Sequence, residues 1–181
     1  MGTIKTTNIE PIADNGTVTL GSSGDTFTMP SGVTVAGSMA NTPAFRATMS
    51  ADQTVATGTW TKINYDTVDY DTNSAYSDSN KRFTVPTGYA GKYLFTAGTN
   101  FYLDDIRSLT IVLYKNGSRN EFGRVQVESA SANSFTLLTS SFIMNLSVGD
   151  YIEAYTKHEN GNDRGLNKLY AEFTGFKLIG V

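Results

Sequence analysis

Few residues of this 181-residue chain could perform acid–base, nucleophilic or metal chemistry. There is one histidine, His158, and there is no cysteine, so disulfides and zinc–thiolate sites are excluded. A His-Glu-x-x-His zinc site needs two histidines, and no Gly-x-Ser-x-Gly nucleophile motif occurs. Because catalysis by histidine requires an oriented partner and a nucleophile, we interpret His158 as an exposed loop residue and predict that the protein is not an enzyme.

One polar stretch is rich in side-chain oxygens, the ligands that calcium prefers. The stretch lacks the glycine and the terminal glutamate of an EF-hand, so we interpret it as a solvated loop and predict no cofactor. Calcium is the ion that such a loop would bind, and Asp104–Asp105 is a weaker candidate of the same kind. A carboxylate pair for glycoside hydrolysis could come from distant strands, but no pair stands out. The oxygen-rich residues are Asp66, Asp69, Asp71, Asn73, Asp78 and Asn80.

Trp60, the only tryptophan, has two interpretations. An exposed indole ring could stack on a sugar in a receptor site, whereas a buried one would anchor the core. We favour the core.

The composition favours an all-β protein that binds neither nucleic acid nor membrane. Charged residues make up 17% of the chain, and Tyr and Phe number ten each. The net charge of −3 and the lack of a basic stripe exclude phosphate neutralisation along a nucleic acid. No run of about 18 apolar residues exists that could insert into a membrane.

Two regions differ in pattern. Residues 1–42 contain no Tyr or Trp, and three short alternating patches predict strands at Thr17–Leu20, Thr26–Met29 and Val33–Val35. We interpret this region as an anchor or shaft segment whose strands form only when three copies wind together. From residue 43 onward strand signals are dense and are separated by turn residues, which predicts a sandwich or barrel. The predicted strands are Phe45–Met49, Trp60–Tyr70, Arg82–Val85, Gly91–Phe101, Ser108–Lys115, Arg119–Val127, Phe135–Leu146, Tyr151–Lys157 and Leu169–Ile179.

Five sequence blocks in the second region occur in the order typical of one family. They are Pro43-Ala44-Phe45-Arg46-Ala47, Arg82-Phe83-Thr84-Val85-Pro86 with Gly91-Lys92-Tyr93-Leu94-Phe95, Leu113-Tyr114-Lys115-Asn116-Gly117, Met144 and Leu146 with Gly149-Asp150-Tyr151-Ile152, and Phe173-Thr174-Gly175-Phe176-Lys177-Leu178. From residue 43 to 181 the chain resembles the C1q globular head of the C1q/tumour-necrosis-factor superfamily. Arg46 stands where serine is usual. The resemblance implies a ten-stranded jelly-roll β-sandwich that assembles as a homotrimer.

The blocks and the strand alternation together predict the core. Its residues are Phe45, Trp60, Phe83, Tyr93, Phe95, Leu113, Leu146, Ile152, Phe173 and Phe176. The tyrosines are too many for one small core, and their amphipathic rings suit subunit contacts. We therefore predict that Tyr114, Tyr151, Tyr155 and Tyr170 lie at the trimer interface.

The leader, residues 8–18, resembles segments that precede such heads in bacteriophage tail-fibre proteins. We therefore predict a virion protein, a trimeric fibre or spike whose head binds a host receptor or glycan while its N-terminal segment binds other virion proteins. The alternatives are a decoration or joint protein with a purely structural role, a secreted animal ligand and a depolymerase. Polar loops carry the predicted receptor contacts. These are Asp69, Tyr70, Tyr76, Tyr102, Asp104, Asp105, His158, Asn160 and Arg164.

Overall fold

The computed structural model describes residues 19, 21–31, 33, 41–103, 108–128 and 134–179. The chain forms two compact units, Met1–Val35 and Ala36–Val181, and every strand among the described residues lies in the second. Within this described part, no helix is long and apolar enough to cross a membrane. The strands are β1 (Ala44–Thr48), β2 (Gln53–Val55), β3 (Thr61–Lys62), β4 (Thr67–Asp71), β5 (Tyr76–Ser77), β6 (Arg82–Thr84), β7 (Gly91–Leu103), β8 (Ser108–Lys115), β9 (Ser118–Arg119), β10 (Val125–Glu128), β11 (Ser134–Leu146), β12 (Tyr151–His158), β13 (Arg164–Leu166) and β14 (Glu172–Lys177).

In the first unit the described residues form turns without strands. Ser22 N donates to Asp25 Oδ2 at 2.6 Å, and Asp25 N donates to Ser22 O at 3.0 Å. The strand predicted at Thr26–Met29 is absent from the single chain, because no described residue pairs with this stretch. The strands predicted at Thr17–Leu20 and Val33–Val35 lie largely outside the described residues.

Two seven-stranded antiparallel sheets form the sandwich. Sheet A has the order β2-β13-β7-β14-β1-β4, and β11 pairs with the free side of β7. Sheet B has the order β10-β8-β12-β6-β5, with β3 on β12 and β9 on β8. The prediction of an all-β jelly-roll sandwich is confirmed.

Several predicted strands are interrupted, which gives more and shorter strands than the ten expected. The predicted strand Trp60–Tyr70 is divided into β3 in sheet B and β4 in sheet A, because the chain crosses between the sheets there. The predicted strand Arg119–Val127 is also divided: a 3-10 turn at Glu121–Gly123 separates β9 from β10, and both strands stay in sheet B. The sequence patterns do not predict β2, β5 and β13, which are only two or three residues long.

Stacked aromatic rings fill the space between the sheets. Phe45 lies between Tyr76 and Phe83, with ring centroids 4.8 and 5.3 Å away. Gly175 is required in this core, because a Cβ there would lie 2.5 Å from Phe95 Cδ1. The predicted core residues Phe45, Phe83, Tyr93, Phe95, Leu113, Leu146, Ile152 and Phe173 are all buried.

A hydrogen-bonded turn cluster closes one end of sheet B. Asn116 and Gly117 have φ values of 51° and 75°, the left-handed conformation that a tight Asn-Gly hairpin requires. The Asp150 carboxylate forms an ion pair with Lys115 Nζ at 2.8 Å and accepts a hydrogen bond from Asn116 Nδ2 at 2.7 Å. It also accepts one from Ser147 N. These contacts lower the pKa of the Asp150 carboxyl to about 2, and the hydrogen bond from Lys115 has the largest effect.

Candidate subunit interface

The outward side of β11 is apolar or uncharged along its length. Alternate residues of this strand point toward the core or away from it, as strand geometry requires. Leu138, Met144 and Leu146 are buried on the inner side. On the outer side, Phe135 is 56% exposed, Leu137 56% and Ile143 53%. Because both alternating sets contain large apolar residues, the strand is suited to burial on both sides.

The strands next to β11 extend this surface. Phe135 lies opposite Tyr102 of β7, and their rings form an edge-to-face pair with centroids 5.2 Å apart. Ile143 lies opposite Leu94, which in turn lies opposite Phe176 of β14. We call the whole surface the apolar face. It consists of Leu94, Tyr102, Phe135, Leu137, Ile143, Leu169, Tyr170 and Phe176.

A small hollow of about 140 Å³ lies within the apolar face, between β11 and the segment before β14. Phe135, Leu137, Leu169 and Tyr170 contribute to its lining. At its base Asn100 donates from Nδ2 to Leu169 O at 3.0 Å. Asn100 Oδ1 is buried, and no group in the described part of the chain donates a hydrogen bond to it. The hollow is therefore walled mainly by apolar side chains.

An ion-pair network marks the opposite edge of sheet A. Arg46, on the outer side of β1, contacts Asp69 at 2.9 Å and Glu172 at 3.0 Å. All three side chains are exposed, so each pair contributes little to stability. These charged residues mark where the apolar face ends on sheet A.

Three of the four tyrosines predicted at the trimer interface lie on the other sheet. Tyr151 and Tyr155 point outward from β12, and Tyr114 points outward from β8. The rings of Tyr114 and Tyr155 stack with centroids 3.9 Å apart, and Arg82 lies 4.4 Å over Tyr151. Partial burial raises the pKa of both Tyr114 and Tyr155. Of the predicted interface tyrosines, the apolar face contains only Tyr170, which is 75% exposed.

Two residues predicted in the core lie at the surface instead. Trp60 is half-buried on the outer side of sheet B, with its ring 6.4 Å from that of Tyr114. It precedes the short strand β3 and packs on the sheet from outside rather than between the sheets. Phe176 is 36% exposed, because residue 176 has the outward parity of β14 while Phe173 and Gly175 point inward.

The predicted receptor contacts do not form one exposed cluster. Asp69, Tyr70 and Tyr102 are exposed on strands of sheet A, and Arg164 is half-buried on β13. Tyr76 is buried, because its ring stacks on Phe45 and its hydroxyl donates to Tyr65 O at 2.8 Å. Asp104 and Asp105 lie outside the described residues.

His158 is a buried structural residue, which corrects its assignment to an exposed loop. It ends β12 on the inward side, next to the ring of Phe101. Its Nε2 lies 2.9 Å from Val55 O, and Nδ1 accepts a hydrogen bond from Asn160 N at 3.3 Å. A carbonyl can only accept, so the proton is on Nε2. Asn160, also predicted as a receptor contact, is buried beside it.

Two carboxylates of the oxygen-rich stretch, Asp66 and Asp71, accept hydrogen bonds from backbone and hydroxyl donors. Asp71 accepts from Ala75 N and Tyr76 N, each at 3.0 Å. Asp66 accepts from Ser50 N and Ser50 Oγ, each at 2.8 Å. Among the described residues, no three His, Asp or Glu side chains are grouped to hold a metal ion.

Sequence reasoning missed Leu137, Ile143 and Leu169 as surface residues. The available signal was the apolar content of both alternating sets of β11. This pattern predicts a strand that is buried on both sides. In the single chain only the inner side of β11 is covered.

Comparisons with known proteins identify the fold and the family. The model of the C1q domain matches residues 44–178. Among curated proteins, no significant match to the sequence was found. The structure is similar to the globular domain of zebrafish complement 1qA, with 17% identity, a TM-score of 0.54, and coverage of 75% of this chain and 97% of that one.

Two further solved structures share the fold. Eiger TNF from S. frugiperda is 15% identical, with a TM-score of 0.55 over 76% of this chain and 92% of that one. Murine APRIL is 13% identical, with a TM-score of 0.57 over 75% of this chain and 98% of that one. Since the family model covers most of the chain, this protein belongs to the C1q domain family.

Proposed function

We propose that the chain is a homotrimeric recognition head whose three copies bury their apolar faces against one another. The observation that carries this proposal is the exposure of Phe135, Leu137 and Ile143 on a long strand at the side of sheet A. A single soluble chain seldom leaves such a contiguous apolar patch uncovered. Covering each half-exposed side chain would contribute about 1 kcal/mol, and threefold symmetry repeats each contribution three times.

The role that we propose is host attachment by a bacteriophage fibre or spike. The resemblance of residues 8–18 to phage tail-fibre leaders supports a virion location, with the N-terminal segment binding other virion proteins. Burial of sheet A in the trimer would leave sheet B and the loops free to bind a receptor or glycan. Three equivalent sites would multiply a weak contact into avidity.

We infer a binding role without catalysis. The single histidine, His158, is buried, and its ring nitrogens contact the backbone groups Val55 O and Asn160 N, so the ring is neither open to a substrate nor paired with a nucleophile. Recognition, unlike catalysis, needs only rigid strands that present side chains to a ligand.

The test is a competition for adsorption. Purified full-length chain is added to susceptible cells before the virus, and labelled antibody locates the chain in intact particles by electron microscopy. We expect the chain to block adsorption and the antibody to mark a fibre tip. If the chain lies between other virion proteins and leaves adsorption unchanged, the structural role of a decoration or joint protein replaces this proposal.

A further inference from the structure

The outer side of sheet B contains a shallow groove that is separate from the apolar face. Its volume is about 270 Å³, just below the range of about 300–1,000 Å³ for small-molecule pockets. We call it the basic groove. It is lined by Trp60, Ser108, Thr110, Arg119, Arg124, Gln126, Lys157 and Glu159.

The polar side chains of the basic groove are held in one row by strand pairing. Gln126 of β10 lies opposite Thr110 of β8, and Thr110 lies opposite Lys157 of β12. Directly paired residues on one side of a sheet are about 5 Å apart at Cβ, so the side chains of Gln126 and Thr110 can reach hydroxyls of the same sugar. Because these residues lie on three hydrogen-bonded strands, their backbone is already fixed before a ligand binds, and little backbone entropy is lost on binding.

Three cations and one carboxylate, Glu159, line the basic groove, so its lining has an excess of positive charge in a chain whose net charge is −3. Arg119 forms an ion pair with Glu121, and Arg124 Nη1 lies 3.5 Å from the other oxygen of the same carboxylate. The single carboxylate of Glu121 therefore pairs with two guanidinium groups and neutralises only one of the two charges. Lys157 Nζ contacts Glu159 Oε1 at 2.5 Å. These side chains are 28–50% exposed, so their ion pairs are weak and an incoming anion can replace them.

Trp60 forms an aromatic wall beside these charges. Arg119 Cζ lies 5.1 Å from the centroid of the indole ring, and Lys157 Nζ lies 5.9 Å from it. A flat ring of this kind packs against the C–H groups of a sugar, while the adjacent cations bind an acidic substituent. A small inorganic anion would use the cations but leave Trp60, Thr110 and Gln126 without a role.

We propose that the basic groove binds an acidic saccharide, one that bears a carboxylate. The carboxylate accepts hydrogen bonds from Arg119 and Arg124, the sugar hydroxyls bind Thr110 and Gln126, and the sugar ring packs on Trp60. This inference rests on the proposed recognition function, to which it adds the ligand class and the binding residues.

The test begins with a glycan array probed with the full-length chain. The array carries sialic-, glucuronic- and galacturonic-acid oligosaccharides beside neutral oligosaccharides of equal length. We expect binding to one or more carboxylated members and to none of the neutral ones. Calorimetry with the best array member should show at least a tenfold weaker affinity for Arg119→Gln and Arg124→Gln. Arg82→Gln, which changes a cation on the same sheet but outside the basic groove, should bind like the wild type.

Failure of this inference can be distinguished from failure of the proposed function. The inference is overturned if no carboxylated member binds above the neutral ones, or if Arg82→Gln weakens binding as much as Arg124→Gln. If the wild type and Arg124→Gln block virus adsorption equally, the receptor site lies elsewhere, and the groove assignment fails while the attachment function stands. If array binding depends on Arg124 but adsorption is unaffected by the chain, the groove assignment stands and host attachment fails.

Discussion

The outer sides of the two sheets present opposite chemistry. On sheet A, the apolar face has half-exposed aromatic and aliphatic side chains, and the outward residues of β11 carry no charge. On sheet B, aromatic rings stack on one another and beneath cations, and ion pairs surround them. Aromatic rings with charged neighbours tolerate water, whereas a row of bare aliphatic side chains is stabilised by being covered. This difference is why we propose sheet A for subunit contact and sheet B for ligand contact.

The largest expected effect comes from placing a charge on the apolar face. Leu137→Arg should raise the concentration at which the trimer dissociates by more than about 100-fold, because each copy would bury an unpaired cation. Analytical ultracentrifugation measures this. The matched change on sheet B, Tyr155→Arg, should leave the dissociation concentration within about twofold of the wild type, since we place that residue outside the contact. If the two variants changed the dissociation concentration equally, the proposal that sheet A rather than sheet B forms the subunit contact would be wrong.

The next effect concerns stability rather than assembly. On sheet B, Lys62 Nζ contacts Glu153 Oε1 at 2.6 Å, and the Glu153 side chain is only 7% exposed. Lys62→Met would leave this carboxylate without its cation and should lower the free energy of unfolding by about 2–3 kcal/mol. Urea denaturation measures the change, and Lys62→Arg is the control that keeps the charge. A loss below about 0.5 kcal/mol would mean that the pair behaves as an exposed one.

A smaller, pH-dependent effect is expected at Asp150. Its pKa is lowered to about 2 in the folded protein, so its contribution is complete above the ordinary carboxyl pKa and is lost as the pH falls toward 2. The stability difference between wild type and Asp150→Asn should therefore be constant from pH 7 to about 5 and shrink below about 4. Chemical denaturation across this pH range tests the direction in which the stability difference changes. A difference that grows on acidification would contradict it.

The smallest effect is spectroscopic and reports on sheet B alone. Trp60 is the only tryptophan, so its fluorescence comes from the basic groove. Nearby cations should attract iodide and repel caesium, so iodide should quench the emission more efficiently, and added salt should reduce the difference. Arg119→Gln should also reduce the difference between iodide and caesium quenching. Equal quenching by the two ions at low salt would show that the groove has no excess positive charge.

Sequence patterns predicted the sandwich and its core better than they predicted the surface. Tyr93 and Phe95 were placed in the core because strand alternation and turn residues are local signals. The sequence could not show which sheet each tyrosine occupies, since that depends on distant strand pairing. His158 was misassigned because its polar neighbours hide its inward parity at the end of β12. Trp60 was misassigned because β3 is too short to show which side it faces.

Burial of the apolar face between copies is tested most directly by sedimentation equilibrium of the full-length chain at low micromolar concentration. The account predicts a single species of about three times the chain mass of 19.6 kDa, together with dissociation of Leu137→Arg to folded subunits. A wild-type chain that sediments as a folded 19.6 kDa monomer at this concentration would contradict the account.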